Sequence, residues 1–337
     1  MKKQPPPPEV HEEFPEELEP APLAYENPEF LNSPDGRMLR IMAEYQEPMA
    51  RFRRERIQDT VVFFGSARFR ALDVANSELE LLASSGSGEP APEYEQPARP
   101  DEIESGEASR LRLKLAEAAV EMARYYEDAR RLAGMMSKWS QTLPGRRHRF
   151  VVTSGGGPGI MEAANRGAYE AGGKTIGLNI QLPFEQHPNS YITPELNFDF
   201  HYFFMRKYWF AYLAKALVVF PGGFGTMDEM FEVLTLTQTR KLAKKITVVI
   251  YGPEYWNHVI NLELLVEKGA IAPEDMELFQ FADTPEDAFR ILKDGLTENH
   301  LESDYEREQQ RLEREMIPVE PAPNAQEMLG PDITKTR

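Results

Sequence analysis

The sequence predicts an α/β protein with a three-layer, doubly wound, mostly parallel sheet and with helical and disordered terminal extensions. Short apolar runs alternate with longer stretches of helical periodicity between residues 60 and 292. Several apolar runs end in loops of glycine or other small residues that lead into the next helix, and no internal repeat is visible. Because strands alternate with helices, successive strands are expected to lie parallel, with helices on both faces of the sheet.

The first predicted elements are a helix over 36–56 and a strand over 60–65. A segment at about 73–107, rich in Gly, Ser, Pro and Glu, is predicted to form a flexible insertion. A long helix over 108–141 follows, because Leu111, Leu115 and Met122 share one face. The remaining predicted elements are strand 149–153, helix 159–171, strand 174–180, strand 196–200, helix 204–214, strand 216–220, helix 226–242, strand 246–251, helix 255–268, strand 278–282 and helix 285–292. The sheet is therefore expected to have seven strands.

The ends of the chain differ in composition from this central part. Residues 1–35 are rich in proline and glutamate and are predicted to form a disordered tail. A single domain is expected over 36–295, and it is long enough to bury a large core. The segment 296–317 reads as a charged helix with a thin apolar stripe, and 318–337 as a second disordered tail.

Composition and charge exclude several classes of function. The formal net charge is −17, but residues 1–30, 78–107 and 298–337 together carry about −19, so the rest of the chain is near neutral. The acidic flanks repel nucleic acid polymers, whereas the central part can accept a small anion. Zero cysteines exclude disulfides and thiolate catalysis. We find no run long enough to span a membrane and no apolar stretch typical of a signal peptide in the first residues, so a soluble cytoplasmic protein is expected.

The most informative motif is PGGFGTMDE, from Pro221 to Glu229, which lies between an apolar run and a helical pattern. Glycines allow the chain to turn sharply and to approach a ligand closely. The free N–H groups at the start of the following helix favour phosphate. Glu229 lies one turn into that helix, where its carboxylate is placed either to cap the backbone or to face a bound ligand.

Two further loops of small residues are expected at the same edge of the sheet. SGGGPGIME, Ser154 to Glu162, also follows an apolar run and opens a helix, and GSAR, Gly65 to Arg68, follows the first strand. One glycine turn alone is equally consistent with a tight connection that binds nothing. Several such turns after parallel strands favour a phosphate site.

These motifs resemble the Lonely Guy family of nucleotide phosphoribohydrolases, a family often labelled lysine decarboxylase. The pair Arg206 and Lys207, followed by the run Pro221 to Glu229, matches that family's signature without a mismatch. The match also includes Gly65 to Arg68, Ser154 to Gly173 and GLNIQLPFEQHPN at 177–189, and it covers roughly residues 60–292. The resemblance implies a Rossmann-like fold and hydrolysis of the N-glycosidic bond of a purine nucleoside 5'-monophosphate, AMP or an N6-substituted AMP of the cytokinin riboside type.

The resemblance also implies the residues of the site. Arg206 and Glu229 are the expected catalytic pair; Arg206 either pairs with Glu229 or reaches the departing base, or the two form only a structural ion pair. The expected substrate-binding residues are Gly65, Ser66, Gly155, Gly156, Gly157, Gly159, Lys207, Gly222, Gly223, Gly225 and Thr226. No cofactor and no metal are expected, and relatives are typically dimers, so a homodimer is expected here.

Other functions fit the sequence less well. A dinucleotide oxidoreductase would need an acid near the end of the third strand, where Asn179 stands. No lysine lies in a recognisable Schiff-base setting, which argues against a pyridoxal phosphate decarboxylase. The six histidines form no helical pair suited to a metal. The alternative that stays open is a nucleotide or molybdenum cofactor carrier that binds through the same loops without turnover.

Overall fold

The predicted seven-stranded parallel sheet is confirmed. The computed structural model describes residues 21–84, 106–182, 187–242 and 244–302. The strands are β1 (Thr60–Phe64), β2 (Val151–Ser154), β3 (Thr175–Ile180), β4 (Asn197–Phe200), β5 (Ala214–Val219), β6 (Thr247–Tyr251) and β7 (Gln280–Ala282). They lie in the order β4-β3-β2-β1-β5-β6-β7, and every neighbouring pair is parallel. The order reverses between β1 and β5, so the topological switch point of the sheet lies there.

Helices cover the sheet, as the alternation predicted. They are α1 (Pro28–Asn32), α2 (Arg37–Arg54), α3 (Leu72–Ser84), α4 (Gly106–Gln141), α5 (Ile160–Glu170), α6 (Phe203–Leu213), α7 (Phe224–Gln238), α8 (Pro253–Val259), α9 (Leu262–Glu267) and α10 (Pro285–Leu296). Short 3₁₀ helices occupy Ala24–Glu26, Pro194–Leu196 and Pro273–Leu278, and one turn of π-helix spans Thr297–Glu302. Within the described parts of the chain, no helix combines the length and apolarity needed to cross a bilayer.

The core is built from strands that are buried on both faces. All five residues of β1 and all four of β2 are buried, which is expected for central parallel strands between two helical layers. Phe63 stacks on Phe220 with 6.3 Å between ring centroids on one face, whereas Phe64 meets Phe210 of α6 at 4.8 Å on the other. Alternate residues of β1 therefore anchor opposite helical layers.

The structure corrects two predicted boundaries, those of the insertion and of the first tail. The predicted insertion at 73–107 begins with the helix α3, because its Gly and Pro residues are concentrated after Ser84; residues 85–105 lie outside the described parts. The predicted tail 1–35 includes α1, which Asn27 caps by accepting a hydrogen bond from the Phe30 N–H at 3.2 Å. Of the predicted helix 296–317, only residues 296–302, which include the π-helical turn, lie inside the described part of the chain. The predicted tail 318–337 lies entirely outside it.

Two helices of the second half also differ from their predicted bounds. The predicted helix 255–268 is two helices, because Ile260 is extended and the Asn261 side chain caps α9 by accepting from the Leu264 N–H at 2.9 Å. Helix α7 begins two residues before the expected Thr226 and ends at Gln238 rather than 242. Arg240 has a left-handed φ of 54° there, and the Lys241 N–H bonds back to the Leu236 carbonyl at 3.0 Å.

Contacts divide the chain into residues 1–46 and 47–337. In the first unit, the Arg40 side chain bonds to the carbonyls of Leu31 and Ser33, the latter at 2.8 Å. The sheet, its covering helices and all predicted site residues belong to the second unit.

Candidate functional site

Three loops meet at the carboxyl ends of β2, β1 and β5, which are adjacent in the sheet. We call them the first loop (65–68), the second loop (155–159) and the third loop (221–225), in chain order. They flank the switch point between β1 and β5, the position where open α/β sheets bind ligands. The three loops come together because β2, β1 and β5 are parallel, so that their carboxyl ends all lie at the same edge of the sheet.

Hydrogen bonds join the three loops through Ser66. Its N–H donates to the Pro221 carbonyl at 3.0 Å, and its own carbonyl accepts from the Ile160 N–H at 3.0 Å. The hydroxyl oxygen of Ser66 accepts from the Arg68 N–H at 3.1 Å. The backbone N–H of Ser66 is therefore committed to holding the loops, and of its polar hydrogens only that of the hydroxyl remains for a ligand.

Several of the glycines are required by this close packing. A Cβ at Gly159, which has a φ of +72°, would lie 2.7 Å from the Ala67 carbonyl carbon. At Gly222 a Cβ would lie 2.9 Å from the Ser66 nitrogen and would overlap the Thr226 side chain. A side chain at either position would push the loops apart. A Cβ at Gly65 would likewise overlap the Ile160 side chain, and one at Gly156 would overlap the Asn179 side chain.

Gly223 and Gly225 are different, because, their chain neighbours and the backbone of α7 apart, no atom of the described residues lies within 4 Å of where their Cβ atoms would be. Both are exposed at the start of α7. The N–H groups of Thr226 and Met227 bond to the Gly223 carbonyl at 3.0 Å, whereas those of Phe224 and Gly225 precede any intrahelical acceptor. These two N–H groups and the open space beside them form a cradle suited to an anion.

The second loop is held by a buried polar network that sequence reasoning missed. Ser154 Oγ donates to Asn165 Oδ1 at 2.6 Å and accepts from the Gly156 N–H at 3.1 Å. Asn189 Nδ2 donates to the carbonyls of Gly156 and Gly157 at 3.0 and 3.1 Å, and to Asn165 Oδ1 at 2.9 Å. Ser154, Asn165 and Asn189 all lie within the matched motifs, but only the fold shows that they form one network.

Glu229 is the buried acid of the site, with only 7% of its surface exposed. Burial raises the pKa of Glu229 to about 7, although the positive charges of Lys207 and Arg206 act in the opposite direction. A carboxyl group with this pKa exchanges a proton near neutral pH, as a general acid or base must. The capping role that the sequence left open is not the one observed, because Gly223 is the N-cap of α7.

Lys207 lies between three carboxylates of α7. Its Nζ is 2.6 Å from Glu232 Oε2, 2.9 Å from Asp228 Oδ2 and 3.9 Å from Glu229 Oε1. Asp228 and Glu232 are four residues apart and therefore share a helix face. Their contacts with Lys207 were not predicted from the sequence, although this spacing was visible there. Lys207 therefore offsets the negative charge that surrounds Glu229.

The Arg206 side chain lies against β3 and the second loop. Its Nε donates to the Leu178 carbonyl of β3 at 2.8 Å, and its guanidinium lies over the Phe210 ring at 5.0 Å. A Cβ at Gly155 would lie 2.6 Å from Arg206 Nη2, so only glycine leaves room for this guanidinium. Burial lowers the pKa of Arg206, and the charge of Glu229 opposes that shift.

Arg206 and Glu229 thus interact electrostatically, but within the described residues no ion pair of 4.0 Å or less joins them. Of the alternatives for Arg206, a close structural ion pair with Glu229 is therefore not what the structure contains. The catalytic and binding roles expected for the thirteen predicted site residues stay predictions. Among the described side chains, no group of three or more His, Cys, Asp or Glu is arranged to hold a metal.

Comparison with known proteins finds one family model and several plant relatives that are similar to part of this chain. Residues 161–292 match the family model described as possible lysine decarboxylase. The chain is 26% identical over 151 residues to a cytokinin riboside 5'-monophosphate phosphoribohydrolase of Arabidopsis thaliana, covering 44% of this chain and 68% of the relative. It is 25% identical over 154 residues to a probable enzyme of the same name from Oryza sativa subsp. japonica, covering 43% and 68%.

A solved structure, the Moco carrier protein of Chlamydomonas reinhardtii, is 22% identical and aligns over 52% of this chain and 89% of its own, with a TM-score of 0.35. That score is too low to carry an argument about function. The resemblance predicted from the sequence is confirmed, because the family model and the plant phosphoribohydrolases are both similar to this chain over the segments that they match.

Proposed function

We propose that this protein hydrolyses the N-glycosidic bond of a purine nucleoside 5'-monophosphate, AMP or an N6-substituted AMP, to give the free base and ribose 5-phosphate. The observation that carries the proposal is a buried Glu229, with a pKa of about 7, beside an open anion cradle at Gly223 to Gly225. The names of the plant relatives support the same reaction class.

In this mechanism the cradle binds the 5'-phosphate. The N–H groups of Phe224 and Gly225 and the positive end of α7 hold its oxygens, and the bound phosphate fixes the position of the ribose. Gly223 and Gly225 matter here because a side chain would occupy the space that the phosphate needs. A nucleoside without the phosphate loses this positioning and hence turnover as well as affinity.

Glu229 then acts at the anomeric carbon. The bond between C1' and the base nitrogen breaks with its electron pair going to the base, and positive charge develops on the sugar ring. The ionised carboxylate stabilises that charge, orients a water molecule and takes its proton as the water oxygen bonds to C1'. The proton that Glu229 took from the water passes to the nitrogen of the departing base, which restores the carboxylate and gives neutral base and ribose 5-phosphate.

Arg206 and Lys207 support this step in different ways. Arg206 is held against the Leu178 carbonyl with its guanidinium beside the second loop, and we assign it to the substrate rather than to Glu229. Lys207 bonds the neighbouring acids, and its positive charge favours the ionised form of Glu229. Without Lys207, the neighbouring carboxylates of Asp228 and Glu232 would raise the pKa of Glu229 further.

The test is to incubate the pure protein with a panel of nucleoside 5'-monophosphates and to detect released base by chromatography. AMP should be cleaved and adenosine should not. Glu229→Gln keeps the size and hydrogen bonding of the side chain, so it should bind AMP while turnover falls at least about a hundredfold. Nucleotide binding with no release of base from any member of the panel would support a carrier and refute hydrolysis.

We also propose that the protein forms a two-fold dimer through α6 and α7. Phe203, Phe204 and Tyr212 of α6 are 53%, 50% and 46% exposed, and Phe231 of α7 is 37% exposed. Exposed aromatic residues clustered on two adjacent helices favour an interface with a second copy.

A further inference from the structure

We propose that the protein has a second anion site, at the opposite edge of the sheet from the glycine loops, which binds a small phosphorylated metabolite. A cavity of about 310 Å³ lies there, at the carboxyl end of α4 and the amino ends of β2 and β3. We call it the basic cavity. The lining residues that matter here are Gln141, Arg146, Arg147, His148, Arg149 and Lys174.

The lining is strongly positive and contains no acid. Arg149 and Lys174 are already neutralised from behind the cavity, by Asp59 at 2.7 Å and by Glu55 at 2.9 Å. Arg146 and Arg147 are exposed and have no hydrogen-bond or ion-pair partner in the part of the chain that the structure describes. Two unpaired guanidinium groups therefore remain in a chain whose net charge is −17.

The pKa of His148 is lowered, in part by the positive charges around the cavity. Burial lowers the pKa of this imidazole, and the charges of Lys174 and Arg56 lower it further against the weaker opposing effect of Glu55. Arg56 thus adds a further cationic side chain near the cavity. An anion bound there would be attracted by Arg56 as well as by Arg146 and Arg147.

The two arginines are not needed to neutralise the ends of nearby helices. Helix carboxyl ends attract cations, and both α4 and α5 end at this cavity. Neutral donors bond two carbonyls at these ends: Gln141 Nε2 donates to the Ser137 and Ala171 carbonyls at 2.9 and 3.2 Å, and Ser140 Oγ donates to the Ser137 carbonyl at 3.0 Å. Within the described residues, neither Arg146 nor Arg147 bonds a helix carbonyl, so both remain available to a ligand.

Size and charge define the ligand. The cavity volume of about 310 Å³ is roughly ten times the volume that a water molecule occupies in the liquid, which suits a phosphorylated sugar or a short phosphate ester. Guanidinium groups bind phosphate oxygens in pairs, so two adjacent arginines suit one or two phosphate groups. A nucleic acid polymer is excluded by the size of the cavity and by the overall negative charge.

The experiment uses inorganic pyrophosphate as the probe, with the full-length chain in a sulfate-free and phosphate-free buffer. Isothermal titration compares wild type, Arg146→Gln with Arg147→Gln, and a matched control in which Arg110 and Arg112, exposed on α4, are changed to Gln. We expect wild type and the control to bind alike and the Arg146 and Arg147 variant to bind at least about tenfold more weakly, because charge-assisted contacts are lost.

Chemical modification locates the binding independently of folding of the variants. Pyrophosphate should protect Arg146 and Arg147 of the wild type from phenylglyoxal, as read by mass spectrometry, and should leave Arg110 and Arg112 reactive. Equal affinity in all three proteins, or modification of Arg146 and Arg147 that pyrophosphate does not slow, would overturn the proposal. Retained hydrolysis of AMP in the double variant would show that the glycine-loop site is separate.

Discussion

Replacing Glu229 with glutamine should stabilise the folded protein at neutral and alkaline pH, although the variant loses its proposed base. Glu229 is almost fully buried. Its carboxylate lies 3.9 Å from Lys207 and near the carboxylates of Asp228 and Glu232, which Lys207 contacts more closely. Glutamine fills the same volume and carries no charge at any pH. The burial that makes Glu229 useful as a base at pH 7 therefore lowers the stability of the fold whenever this carboxyl is ionised.

The magnitude follows from the pKa. Burial raises the pKa of Glu229 from 4.5 to about 7, which corresponds to about 3 kcal/mol between the two protonation states. Because the folded-state pKa is higher than the unfolded one, the stability contributed by protonated Glu229 is present in full below pH 4.5. It is lost as the pH rises through about 7. The variant has no such loss.

The assay is denaturant unfolding of wild type and Glu229→Gln at a series of pH values. The free energy of unfolding of the variant minus that of wild type should grow by about 3 kcal/mol between about pH 4.5 and about pH 8. Glu80→Gln, an exposed acid on α3, is the control and should show no such growth. A difference for Glu229→Gln that stays constant with pH would refute the reasoning, because it would mean that Glu229 ionises freely in the fold.

Three further predictions follow from the same geometry. In wild type, kcat/KM for AMP should rise as the pH passes through about 7, because the ionised form of Glu229 is the active one; a rate that is flat across this range contradicts that role. Arg206→Ala and Arg206→Lys should each lose at least about a hundredfold in turnover, because one ammonium cannot both bond the Leu178 carbonyl and extend beside Gly155 as the planar guanidinium does. Full activity of Arg206→Lys would show that the planar guanidinium is not required. Light scattering should give twice the 38.5 kDa mass of one chain, and Phe231→Glu should shift it toward the monomer; a wild-type monomer with full activity rules out the dimer.

Much of the fold was accessible from the sequence because its signals are local. Apolar runs, helical periodicity and glycine turns each extend over a few residues, and they predicted all seven strands within a few residues of the observed bounds. Boundaries failed where one side chain or one backbone angle decided them, as at Asn261, which caps α9, and at Arg240, which ends α7. The insertion at 73–107 was misread because composition averaged over a window hid the helical sequence before Ser84.

The sequence by itself determined the order of strand, glycine loop and helix, and it placed Arg206 and Glu229 as the expected catalytic pair. Only the tertiary structure decided which three loops meet, because that depends on β2, β1 and β5 being neighbours in the sheet. It also decided the raised pKa of Glu229 and the three carboxylates around Lys207. Burial and electrostatic environment arise from groups that are distant in the sequence and close in space, and no local pattern of residues encodes them.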